Sequence, residues 1–156
     1  MGKYVLSKNY KELGSVVFRQ AKASNHCSRL HGYALSFYFE FEAETLDACH
    51  WVMNFGGFRE LKDFLEDNFD HTMLVARDDP EIDTLVQLGR KGLAKVVVLE
   101  KTGCEAIADY LYDYVNAVFL QASGQQARVW CCKVEVREKD SNRAMRLGSR
   151  PAKEAS

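Results

Sequence analysis

No apolar run in this chain is long enough to cross a bilayer. The longest, such as Val96 to Leu99, cover a small part of the roughly 20 residues that a spanning helix needs. The opening residues, Met-Gly-Lys-Tyr-Val-Leu-Ser-Lys, lack the apolar core of a secretory signal. Neither charge sign is in excess: the formal net charge is -1, so no basic field of the kind that attracts nucleic acid surrounds the molecule. The five cysteines do not form an even set, and Cys131 and Cys132 are adjacent in a strand-like run, pointing to opposite faces. That pattern argues against a disulfide framework and for a reducing, cytoplasmic setting. There is no internal repeat and no low-complexity tract. The 156 residues, 47% hydrophobic and 28% charged, therefore predict one globular domain over residues 1–141. A polar, basic tail follows over 142–156; its lack of periodicity predicts a mobile segment.

What the chain does have is a chemistry-rich stretch from Phe18 to Tyr33. It carries two of the four histidines and one of the five cysteines, with little apolar padding. A strand-like run follows, in which Leu35, Phe37, Phe39 and Phe41 share one face and Ser36, Tyr38, Glu40 and Glu42 the other. The same period extends back to Tyr33 and His31. A histidine and a tyrosine thus stand at the mouth of an apolar face, with Cys27 just upstream. The pattern fits an active-site rim, and equally a buried cysteine beside a satisfied imidazole.

Taken in order, a first strand is expected within Tyr4 to Ala21, strongest at Ser15 to Arg19, and a second over Tyr33 to Glu42. Their compact connection predicts an antiparallel hairpin. Asn54 is placed to cap a helix whose stripe is Phe58, Leu61, Phe64, Leu65 and Phe69. Asp70 and His71 fall just past it. Arg77 to Pro80 reads as a turn, and Glu81 to Arg90 as a short helix closed by Gly89 or Gly92. Lys95 to Glu100 is a β-branched run that predicts a third strand. Thr102 then reads as an N-cap with Glu105 as capping-box partner. Ile107, Tyr110, Leu111, Tyr114, Val115 and Val118 recur at helical spacing. The last strand spans Ala127 to Glu138, with Trp130, Cys132, Val134, Val136 and Glu138 on one face. A carboxylate ending an apolar face suggests function. Strands outside and helices between predict an α+β fold with the helices on one face of the sheet.

Five stretches in order resemble the 6-pyruvoyl-tetrahydropterin synthase and 6-carboxytetrahydropterin synthase family. The family's Cys-x-x-Leu-His-Gly-His appears as Cys27-Ser-Arg-Leu-His31-Gly-Tyr33. Trp51-Val-Met-Asn54-Phe resembles its Met-Val-x-Asp-Phe, with asparagine for aspartate. Phe69-Asp70-His71-Thr-Met-Leu74 matches its Leu-Asp-His-x-x-Leu. Lys101-Thr102-Gly-Cys-Glu105 resembles its Pro-Thr-x-Glu, and Val134-Glu-Val-Arg-Glu138 its closing Val-x-Val-x-Glu. The resemblance implies the T-fold: a four-stranded antiparallel sheet with two main helices on one face. It also implies subunits closing into a barrel as trimers or hexamers, with active sites between them; such joining would remove exposed sheet edges.

The resemblance further implies a lyase acting on dihydroneopterin triphosphate. Within it Cys27 would move side-chain protons, and Asp70 with His71 would form a second relay. Glu138 would grip the pterin's amino and ring N–H groups. Glu105, with Thr102, would assist binding or serve only in the helix cap. Taken one by one, Cys27 is also readable as inert, Asp70-His71 as a helix terminator and Glu138 as a solvated strand end. The product implied is 6-carboxytetrahydropterin, towards queuosine and other 7-deazaguanines. The alternatives are 6-pyruvoyl-tetrahydropterin, a non-catalytic pterin binder, or an altered aldolase-type activity.

The chain departs from the family at the metal. The family binds zinc through three histidines, and here Lys22 and Tyr33 stand at two of those positions beside His31. Two readings are open. Either His26 substitutes, with Tyr33 or Cys27 completing a poorer zinc site, or zinc is gone and Lys22 supplies the positive charge.

Overall fold

The computed structural model describes residues 2–152. The last four residues of the expected tail, 153–156, lie outside the described residues.

The fold is built on a long hairpin. β1 (Tyr4–Phe18) and β2 (His31–Ala43) pair antiparallel from Tyr4↔Ala43 to Phe18↔His31. The period-two pattern of β2 is realised: Leu35, Phe37, Phe39 and Phe41 are all fully buried. Removing each such side chain from water contributes about 1.5–3 kcal/mol. An irregularity between Tyr10 and Gly14 interrupts the ladder, and there the Ser36 hydroxyl accepts the Glu12 N–H at 2.8 Å.

The Asn54 carboxamide accepts the Gly56 N–H at 2.8 Å, capping a 3-10 turn (Phe55–Phe58) rather than an α-helix. The α-helix itself, α1 (Arg59–Phe69), buries Leu61, Leu65 and Phe69. Next comes β3 (Thr72–Ala76), every residue of it buried. The sequence does not announce this strand, because a short unbroken apolar run carries no period to read. α2 (Ile82–Arg90) ends at Gly92, whose φ of +73° suits glycine. β4 (Lys95–Leu99) follows.

α3 (Cys104–Tyr114) starts at Gly103 with no side-chain cap. Thr102 is not its cap: the threonine hydroxyl donates instead to the Arg19 carbonyl at 2.6 Å. α3 runs on through a π-turn (Val115–Phe119) to Ala122. The wider turn rotates the apolar stripe, so Phe119 and Leu120 are buried while Val118 is 50% exposed.

β5 (Val129–Lys139) pairs with β2. A bulge there sets Glu40 opposite Lys133 but Phe41 opposite Cys131, which leaves Cys132 as the extra residue. The face expected to hold Trp130 and Cys132 with Val134 is therefore split. Val129 and Cys131 point into the core before the bulge, and Val134 and Val136 after it. Asn142–Leu147, placed in the tail by its polarity, forms β6 against β5. Polar side chains are what an edge strand carries.

The sheet order is β4-β3-β1-β2-β5-β6. Six strands replace the expected four, and the sheet is mixed, since β3 runs parallel to both β1 and β4. α1 and α3 pack on the phenylalanine face as anticipated. α2 does not: Leu85 packs with Met73 and Val75, whose side chains point to the opposite face.

Candidate functional site

Three strand ends and the start of α3 converge at one end of the helix-covered face. β1 finishes at Phe18, opposite His31 at the start of β2. Alternation along β2 keeps His31 and Tyr33 on the phenylalanine side. Their ring centroids lie 5.4 Å apart, near perpendicular, and the fully buried Phe18 ring sits 5.1 Å from His31 and 6.0 Å from Tyr33. The His31 Nδ1 lies 2.7 Å from the Arg29 carbonyl. A carbonyl only accepts, so Nδ1 carries the hydrogen, and in the neutral ring the lone pair is on Nε2.

Cys27 sits in a 3-10 turn (His26–Ser28) between these strands, where the Asn25 carboxamide accepts the Cys27 N–H at 2.9 Å. The Cys27 carbonyl accepts the Gln20 N–H at 2.8 Å, which ties the turn back to the end of β1. Cys27 is half-buried and His26 exposed.

Glu138 enters from β5. The Ser36↔Arg137 and Phe37↔Val136 pairs put it across from Leu35 and diagonal to Tyr33, on the same face. Its carboxylate is felt by two neighbours. Burial first, then Glu138, pushes the Cys104 thiol up to about 12. Burial first, then the charges of Glu138 and Cys27, raises the Tyr33 phenol. The bulge at Cys132 decides this placement, because it returns Val134, Val136 and Glu138 to the core side. Cys104 is the site residue that the motifs did not single out; its only signal was its place beside Glu105.

Other expected residues are elsewhere. Asp70 and His71 form their own pair, Nδ1 to Oδ1 2.9 Å, with His71 86% exposed and in the left-handed region at φ 51°. They precede β3, on the side of β1 away from β2, and their side chains pair with each other rather than with Cys27, His31, Tyr33 or Glu138. Lys95 donates to the Asp70 carbonyl at 3.0 Å. Glu105 is exposed in the first turn of α3. The Lys22 ammonium is 3.0 Å from Asp78, not at the His31 ring.

This donor set does not fit a three-ligand zinc centre. His31 offers one imidazole nitrogen, Tyr33 is held protonated, and Lys22 is a cation turned away. Among the described residues no three His, Cys, Asp or Glu side chains gather closely enough to hold a metal ion. Among them, too, no helix is long and apolar enough to cross a membrane.

Comparisons with known proteins bear on the family and on the fold. The 6-pyruvoyl tetrahydropterin synthase family model matches residues 14–148. A 6-carboxy-5,6,7,8-tetrahydropterin synthase from Aquifex aeolicus is 26% identical over 129 residues, spanning 81% of this chain and 79% of that one. An uncharacterized protein from Wolinella succinogenes superposes with a TM-score of 0.81 at 19% identity, covering 96% of this chain and all of its own. The 6-pyruvoyl tetrahydropterin synthase of Caenorhabditis elegans does so at 0.63 and 15% identity, covering 96% and 98%. At such identities the structural likeness speaks to the fold alone. The family match spans most of the chain: the chain belongs to the 6-pyruvoyl tetrahydropterin synthase family.

Proposed function

We propose that this protein is a 6-carboxytetrahydropterin synthase-like lyase acting on dihydroneopterin triphosphate, in the route to queuosine and other 7-deazaguanines. The observation that carries the reading is the convergence of Glu138, Tyr33 and Cys27 at one mouth of the apolar face, seen in a member of a family of tetrahydropterin synthases. An ionised carboxylate accepts two parallel hydrogen bonds from a pterin's amino group and ring N–H, and so orients the ring. Cys27, at the rim, would then take a proton from the substrate side chain and return one as the triphosphate leaves. His31, with its Nε2 lone pair free, and the protonated Tyr33 hydroxyl would accept and donate hydrogen bonds to the side-chain oxygens.

Asp70 and His71 would supply the second proton relay. Within one chain they stand apart from Cys27, so the complete site would need a neighbouring copy, as in a trimeric or hexameric barrel. Glu105 and Thr102 differ in weight here. Glu105 is exposed near Glu138 and free to help hold the pterin, whereas the Thr102 hydroxyl already serves Arg19.

The incomplete zinc donor set favours a second reading, a homologue that binds pterin without turning it over. A 6-pyruvoyl-tetrahydropterin product is the other alternative on the same substrate. Incubation with dihydroneopterin triphosphate, with products identified by mass, separates the three. We expect 6-carboxytetrahydropterin from the wild type and none from Cys27→Ala. Pyruvoyl product would reassign the reaction, and a bound but unchanged pterin would leave the binder.

A further inference from the structure

A small cavity beside the Cys27 turn holds more positive charge than its surroundings neutralise. It is about 160 Å³, floored by Ala21 and Ala76 and rimmed by Gln20, Lys22, Asp78 and Lys101. Pockets for drug-sized ligands start at roughly 300 Å³, so this one suits a compact group. It lies where the parallel strands β1, β3 and β4 all end, the side of such strands from which ligands are generally bound.

The charges there are unevenly matched. Arg19 is paired one-to-one with Asp79, and Arg77 with Glu100. Lys22 and Lys101, by contrast, both contact the same oxygen of Asp78, Lys22 at 3.0 Å and Lys101 in a close ion pair. Hydrogen bonds from Lys101 and Lys22 hold the Asp78 carboxyl down to about 2, so it stays ionised. Two cations and one anion leave a surplus positive charge on two exposed ammonium groups that meet at one carboxylate oxygen. Gln20 adds a neutral donor: its amide nitrogen lies over Gly103, 2.6 Å from where a Cβ would stand, and gives one N–H to the Thr102 carbonyl at 3.4 Å, leaving the other for a ligand. Any side chain at Gly103, already at φ +109°, would displace it.

We propose that Lys22, Lys101 and the Gln20 amide form a subsite for the oxyanions of an oligophosphate chain. Each phosphate oxygen accepts charge-assisted hydrogen bonds, and two lysines bridging one chain replace a shared carboxylate with a better-matched charge. The cavity and the Cys27 turn are two sides of one loop, joined by the Gln20 N–H to Cys27 carbonyl bond. The cavity is therefore the oxyanion site next in sequence and space to the Cys27 turn. Only the identity of its occupant, the triphosphate arm of dihydroneopterin triphosphate, rests on the function proposed above.

Titration calorimetry of the full chain with sodium tripolyphosphate tests the subsite without any pterin. Lys22→Gln and Lys101→Gln should each weaken binding about tenfold, the loss of one charge-assisted contact. Asp78→Asn should tighten it several-fold, because the competing carboxylate is removed. All three residues are exposed, so folding survives the changes, and a thermal scan verifies it. A purely structural ion-pair cluster would lower the melting temperature in all three variants and leave tripolyphosphate binding absent or unchanged; that result overturns the subsite. The source of the phosphates is read from a second arm. If the lysine variants raise the KM for dihydroneopterin triphosphate, the substrate arm is the occupant. If wild type binds tripolyphosphate with the expected pattern but leaves dihydroneopterin triphosphate unconverted, the subsite stands and the lyase reading falls.

Discussion

Asn116 holds the backbone of Cys131 from both sides. Its side-chain oxygen accepts the Cys131 N–H at 2.9 Å, and its amide nitrogen donates to the Cys131 carbonyl at 3.1 Å. The same nitrogen reaches the Tyr112 carbonyl at 3.1 Å. Asn116 belongs to the π-turn of α3, and Cys131 adjoins the bulge in β5. One buried carboxamide therefore ties the two places where the chain departs from regular periodicity. Asn116→Ala strands two buried backbone groups at about 1–3 kcal/mol each. We expect a loss of about 2–4 kcal/mol in urea denaturation. A loss below about 1 kcal/mol would mean that the bulge is held by something else.

Arg19 and Asp79 form a bidentate pair, Nη2 to Oδ1 2.6 Å and Nε to Oδ2 2.8 Å, with the Asp79 side chain 1% exposed. Arg19→Ala leaves that carboxylate buried alone, a cost of about 3 kcal/mol. The Arg19 hydrogen bonds hold the Asp79 carboxyl below the usual carboxylate range. Its stabilisation is thus fully present above the unfolded value of about 3.9 and fades as pH falls below it. Denaturation midpoints of wild type and Arg19→Ala should differ most near neutrality and converge in acid. Parallel curves down to strong acid would remove the pair from the account.

The thiols should separate by reactivity. Cys49 is exposed, whereas burial pushes Cys104 up to about 12 and Cys131 well above the ordinary thiol range. Iodoacetamide attacks the thiolate. In the native protein at pH 8, site-resolved mass spectrometry should find Cys49 labelled first and Cys104 and Cys131 unlabelled until unfolding. Early labelling of Cys104 would show that it is neither buried nor set against Glu138.

Metal uptake checks the donor set. After loading with zinc and desalting, elemental analysis should find well under one zinc per wild-type chain. The double variant Lys22→His, Tyr33→His restores the family's three histidines and should retain close to one. A wild type that keeps stoichiometric zinc would show that His26 or Cys27 completes a site on binding.

Much of this molecule was written in local pattern. The alternation of Leu35, Phe37, Phe39 and Phe41 placed β2 and carried His31 and Tyr33 to its mouth. The stripe of α1 and the Cys27–Tyr33 spacing were equally readable, because neighbours in sequence set them. What lay beyond was decided by contacts between distant segments. Thr72–Ala76 is a strand because β1 and β4 offer it partners on both sides. The polar Asn142–Leu147 becomes one because β5 presents an open edge, and Arg146 then stacks 4.6 Å over Tyr112 and pairs with Asp109. The turn of the stripe at Val118 and the split face of β5 depend on Asn116 meeting Cys131. Lys22 found Asp78 rather than His31, and Cys104 found Glu138, by the same route. Periodicity reports which face a residue takes in a regular element. Where a bulge, a π-turn or a buried ion pair breaks that regularity, only the packed chain determines which side chains meet.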